Sequence, residues 1–203
     1  MRAFIPVPGG YACELEPAEL RIVARVVADT CELLGTPVED AAGAGAAADR
    51  PSVEEAVLAA LSWDPAGGRT PRDPALARLL PPASHDDEEL AAELRRLTES
   101  SLRATKIDQL RVVHRALEAS SGLVVVREGE ERAWLAALTD VRLVLASRLG
   151  IETDEDAERV YERAGSARPQ TAVDELDAAL TSLYAVLTWW QESLLEAMSG
   201  RLP

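Results

Sequence analysis

The stretch from Gly129 to Ile151, GEERAWLAALTDVRLVLASRLGI, constrains this chain more than any other. Trp134, Leu138, Val141, Leu145 and Leu149 recur at steps of four, three, four and four, and Leu135 and Val144 widen the stripe. So broad an apolar face must be covered by other elements, which predicts a central, largely buried helix. Arg142 and Arg148 lie beside the stripe, and Asp140 stands two residues before the first of them. A guanidinium taken out of water is tolerated only with a partner. The expectation is therefore a polar network of Asp140, Arg142, Arg148 and Glu192 that joins this helix to the C-terminal one. Truncating Arg142 to alanine should then cost about 3 kcal/mol or more, as for any broken buried pair.

The second strong signal lies between about Thr171 and Ser199, where Leu176, Leu180, Leu183, Leu187, Trp190, Leu194 and Met198 recur every three or four residues. A face this regular completes a helical bundle or makes a homodimer. Trp189 falls off the stripe and belongs at its edge.

Around these two helices the chain reads in order. Arg2–Val7 and Tyr11–Leu15 flank Pro8-Gly9-Gly10, the pattern of a β-hairpin. Pro6 confines its own strand to an edge. A helix opens at Glu16-Pro17 and stops at Gly35, with Leu20, Val23, Val27, Thr30 or Cys31, and Leu34 on one face. Residues 36–72, with the tracts AAGAGAAAD and DPAGGRTPRDP, read as a flexible insertion or linker carrying a short helix from Ser52 to Ser62. Trp63 there either anchors that helix on the body or meets a partner. One or two helical turns follow from Asp73 to Leu80. The helical signal from Asp86 to Ser120 carries Leu90, Leu94, Leu97, Leu102, Ile107, Leu110, Val113 and Leu117, and its lapse near Ser100-Ser101 reads as one bent helix or two. Gly122–Arg127, GLVVVR, supplies a third short strand, and one short acidic helix fits after Gly150. The architecture expected is mainly α: one domain over residues 1–203, a bundle of about five to six helices with a small N-terminal β-hairpin joined by that third strand.

The formal net charge of −14 argues against a general binder of nucleic acid or anionic membrane, whose affinity rests on positive surface charge. Neither an export signal nor a long uncharged apolar run is present, which predicts a cytoplasmic protein with no membrane association. Cys13 and Cys31 with His85 and His114 are a thin supply of metal ligands, so no metal and no cofactor are expected. Phosphate-binding, dinucleotide-binding, zinc-protease and serine-hydrolase signatures are all missing. One local feature departs from the acidic background. Arg95, Arg96, Arg103, Lys106, Arg111 and Arg115 face only Glu99 and Asp108 over the same span, and Lys106 is the one lysine among 21 basic residues. That run is either a solvated or internally paired helix face or, with Trp63 and Trp189, part of a partner surface.

The segment WLAALTDVRLVLASRLGI at Trp134–Ile151 and WQESLLEA at Trp190–Ala197 carry a resemblance, together with the opening MRAF, DPALARLLP at Asp73–Pro81 and LRRLTESSLR at Leu94–Arg103. The chain resembles the actinobacterial family called domain of unknown function twenty-seventeen, over nearly its whole length except about Thr36–Arg72. The resemblance brings no established activity. It implies a gene beside that of a Clp-protease adaptor and near sulfur-carrier and cysteine-synthesis genes, and members labelled transcriptional regulators. The function expected is that of a non-catalytic regulatory or protein-interaction protein, with an unidentified protein partner or a second copy. The alternatives are a transcriptional regulator that binds DNA through residues 95–115, and an enzyme with a site around Arg142 and Arg148.

Overall fold

The structure, a computed structural model, describes residues 1–36, 71–84, 86–166 and 172–200. Most of the expected insertion, with its short helix and Trp63, lies outside the described residues, as does His85. Three strands and six helices are described: β1 (Ile5–Val7), β2 (Gly10–Glu14), α1 (Pro17–Leu33), α2 (Pro74–Leu79), α3 (Glu88–Glu118), β3 (Leu123–Arg127), α4 (Glu131–Arg148), α5 (Asp154–Ser166) and α6 (Ala172–Ser199). The protein is mainly α, with one small antiparallel sheet in the order β1-β2-β3.

Pro8 and Gly9 make the hairpin turn between Val7 and Gly10, which pair directly. Proline presets the first central φ, and Gly9 takes the positive φ of 82° that the second requires. At Gly10 a Cβ would collide with the Val126 carbonyl oxygen of β3, so only glycine allows β2 and β3 to close. β3 then pairs with β2 from Leu123 opposite Glu14 to Arg127 opposite Gly10. The third strand expected from GLVVVR is thus in place. Its alternation puts Val124 and Val126 in the core and leaves Leu123 and Val125 outside.

α4 is central. Trp134, Ala137, Leu138, Val141 and Leu145 are buried, and the helix packs against α1, α2, α3, α6 and β3. Trp134 meets Trp190 of α6 edge to face at 5.8 Å between ring centroids, and Phe4 stacks on Trp190 at 5.0 Å. This three-ring cluster fastens the hairpin to the two strongest helices of the sequence.

The span expected to be one bent helix or two is a single helix, α3, of 31 residues. Ser100 and Ser101 do not break it. Its hydrophobic core begins only at Ile107, and Leu90, Leu97 and Leu102 are exposed. Of the apolar positions in this span, Ile107, Leu110, Val113 and Leu117 in the second half of α3 are the buried ones.

Candidate functional site

The four residues expected to form one network are separated by the helix that carries two of them. Asp140 and Arg142 are two positions apart, about 200° around an α-helix, so they leave α4 on opposite sides. Arg142 turns toward α6, where its Nε donates to Thr188 Oγ1 at 2.9 Å and its Nη1 to Gln191 Oε1 at 2.8 Å. The guanidinium also lies over the Tyr184 ring, 5.6 Å from its centroid. Gln191 is held in turn, because its Nε2 donates to Thr139 Oγ1 at 2.8 Å and to the Leu135 carbonyl at 3.2 Å. The Thr139 and Thr188 hydroxyls each donate to the carbonyl four residues before them. Arg142 is thus satisfied by neutral acceptors. Glu192, one residue past Gln191, points about 100° away from it and is exposed.

Asp140 is 2% exposed and faces α3, where its Oδ1 accepts from Lys106 Nζ at 2.6 Å. Its Oδ2 is buried and has no partner among the described residues. Burial raises the Asp140 carboxyl above its usual range, and the Lys106 ammonium offsets only part of that rise. Arg148 serves a third place at the end of α4. Its Nη2 donates to Asp73 Oδ2 at 2.8 Å, while Asp73 Oδ1 caps α2 by accepting from the Ala75 and Leu76 amides. The Arg148 guanidinium holds the Asp73 carboxyl below its ordinary value, with help from those amides.

The basic run on α3 is likewise divided. Arg95 is buried and donates to the Leu80 carbonyl at the end of α2 at 3.0 Å. Arg103 donates to the Leu34 carbonyl at the end of α1 at 2.9 Å. Glu99 lies four residues from each and accepts from both, at 3.3 and 2.6 Å. Helix ends leave carbonyls without intrahelical donors, and these two arginines supply them. Lys106 completes the inward face. Arg96 pairs with Glu93 on the outer side, half-buried Arg111 lies 3.7 Å from Asp108, and exposed Arg115 donates its Nε to the Arg111 carbonyl. Of the other residues considered for a partner surface, Trp189 is 44% exposed on α6 and Trp63 lies outside the described residues.

Groups that could act in chemistry are few around these bonds. Burial pushes the Cys13 thiol up to about 12 and that of Cys31 up to about 11, so neither is a thiolate at neutral pH. Among the described residues no three histidine, cysteine or carboxylate side chains come together as a metal site would need. No described helix is long and apolar enough to cross a membrane.

Sequence reasoning missed Gln191, Thr188, Glu99 and Asp73 as partners. Two of them had a signal. Gln191 interrupts the apolar run of Leu187, Trp190 and Leu194, where a polar side chain needs a specific bond. Glu99 sits midway between Arg95 and Arg103 at helical neighbour spacing. Thr188 and Asp73 are far in sequence from the arginines they serve, and no local pattern points to them.

No curated protein and no solved structure matches the chain. A family model, described as Domain of unknown function (DUF2017), matches residues 1–198. With 198 of 203 residues matched, the chain belongs to the DUF2017 family.

Proposed function

We propose that this protein acts without catalysis, by binding another protein. The observation that carries the reading is the inversion of the first half of α3, where Arg95 and Arg103 turn into the body while Leu97 stays 68% exposed and Leu90 48%. The charged groups considered for chemistry are spent tying helix to helix, whereas large apolar side chains, with Trp189 on α6, remain at the surface. Large apolar side chains left at a surface support a contact with another macromolecule where they gather into one patch. DNA binding through residues 95–115 has less support, because Arg95, Arg103 and Lys106 already serve partners inside the protein. The neighbourhood implied by the resemblance makes a Clp-protease adaptor or a sulfur-carrier component the first purified candidate to try.

The test is affinity capture from the host cytosol with the wild-type chain and with Leu97→Asp and Trp189→Asp, followed by a salt titration. A protein kept by the wild type and lost by a correctly folded surface variant supports the reading. Recovery of salt-sensitive nucleic acid alone would replace it with the regulator reading.

A further inference from the structure

The two edges of the sheet are finished differently. β1 is three residues long and contains Pro6, which has no N–H to offer, and the Phe4 amide just before it donates to Ser193 Oγ of α6 at 3.3 Å. β3 has five residues, with three consecutive valines, and pairs only with β2. The Leu15 amide donates to the Gly122 carbonyl, and the Glu128 amide to that of Gly9. In an antiparallel pair the main-chain groups alternate in direction, so those of Val124 and Val126 face β2 and those of Leu123, Val125 and Arg127 face away. Arg127 is closed off by Glu130, whose carboxylate accepts from the Arg127 amide and whose own amide donates to the Arg127 carbonyl. That leaves two N–H and two C=O groups, on Leu123 and Val125, with no partner among the described residues. Their side chains are 58% and 38% exposed.

A groove of about 400 Å³ runs between this edge and the second half of α3. Val112, Ala116 and Ala119 form its helical wall, and Arg115 and Arg127 stand at its rim. A free strand edge beside a helix is the geometry in which an extended peptide adds itself to a sheet. The rim keeps a net positive charge in a chain of net charge −14, since Arg115 and Arg127 outnumber Glu130, the one carboxylate lining the groove among the described residues, which accepts from the Arg127 amide and lies 3.9 Å from the Arg127 guanidinium. A second copy of so acidic a chain would be repelled and would bring the same basic rim. We infer that the groove between β3 and α3 binds an extended, acid-bearing peptide of a partner protein as a fourth strand. The peptide backbone pairs with Leu123 and Val125, an apolar side chain lies against Val112 and Ala116, and a carboxylate meets Arg115 and Arg127. This inference rests on the protein-binding reading and names one place where binding occurs.

The probe is an acetylated, amidated heptapeptide of alternating valine and aspartate, added to the full chain while backbone amide shifts are followed. The largest shifts should fall on Leu123 and Val125. Methylating the peptide amides that face β3 removes their hydrogens and should weaken binding about tenfold or more, without touching the protein. Arg115→Glu, at an exposed position, should weaken it by a smaller factor, and a valine-lysine peptide should bind more weakly still. The inference is overturned by the absence of shifts over Leu123–Arg127 at millimolar peptide, or by equal binding of the methylated or lysine peptide. Slow Leu123 and Val125 amide exchange that is lost on dilution, without peptide, would assign the edge to a second copy instead. Loss of a captured partner from Leu123→Lys further supports the inference. A partner that binds Leu123→Lys undiminished, with no peptide binding, would overturn the groove but leave the protein-binding reading standing.

Discussion

The two halves of α3 obey opposite rules. From Ile107 to Leu117 the apolar residues face inward, and Leu110 and Val113 have no exposed surface. From Glu88 to Arg103 the inward face includes Arg95, Glu99 and Arg103, and Leu90, Leu97 and Leu102 look out. Both halves have helical hydrophobic spacing, so spacing does not decide which face is buried. What differs is the surface each half meets. The second half lies along helix sides and the sheet, which present side chains. The first half crosses the ends of α1 and α2, which present carbonyls with no donors of their own. Covering those ends with leucine would bury unmet acceptors, at about 1–3 kcal/mol each.

Variants can sharpen or break this contrast. The largest loss is expected from Lys106→Met at the junction of the halves, because it strands a buried carboxylate; breaking such a pair costs about 3–5 kcal/mol. The loss should shrink at low pH, where Asp140 can take up a proton, and urea unfolding at two pH values measures both. An equal loss at both would show that Asp140 stays ionised without its lysine. Next comes Leu110→Ala in the second half, a core truncation of about 2–5 kcal/mol. Arg95→Ala in the first half should cost about 1–3 kcal/mol for the stranded Leu80 carbonyl, and a loss under about 0.5 kcal/mol, the range of an ordinary surface change, would mean the inward arginine is dispensable. The smallest change belongs to Leu97→Asp, within about 0.5 kcal/mol, as for a surface position; strong destabilisation there would show that the outward leucines are covered in the free protein.

A pH experiment tests Asp140 by itself. Its carboxyl is raised in the folded state by burial, so the folded protein holds that proton more tightly than the unfolded chain. Stability contributed by this group is therefore full below the unfolded value, near 4, and falls as pH rises toward the raised folded value. Wild-type stability should drop more steeply across that rise than that of Asp140→Asn, measured by denaturant unfolding at each pH. Parallel curves would mean that Lys106 fully offsets the burial.

Much of the fold was legible because its signals are local. The central helix, the C-terminal helix, the glycine turn and the valine strand each declare themselves within a few residues, through period and turn chemistry. The polar sites were legible only in outline. Arg142 announced that it needs a partner, yet that partner is the neutral pair Thr188 and Gln191 rather than an acid, which places its truncation at about 1–3 kcal/mol rather than the full loss of a buried ion pair. Asp140 found its cation in α3, 34 residues away in sequence.

The sequence by itself determined which segments are helix and strand, where the chain turns, and that charges beside an apolar stripe must be answered. Only the tertiary structure decided which charge answers which, which face of the first half of α3 is outermost, and which sheet edge stays open. The physical reason is range. Backbone preference and hydrophobic period act between residues a turn or two apart, whereas a buried charge or an orphan carbonyl is satisfied by whatever the packing of distant elements brings within 3 Å or so.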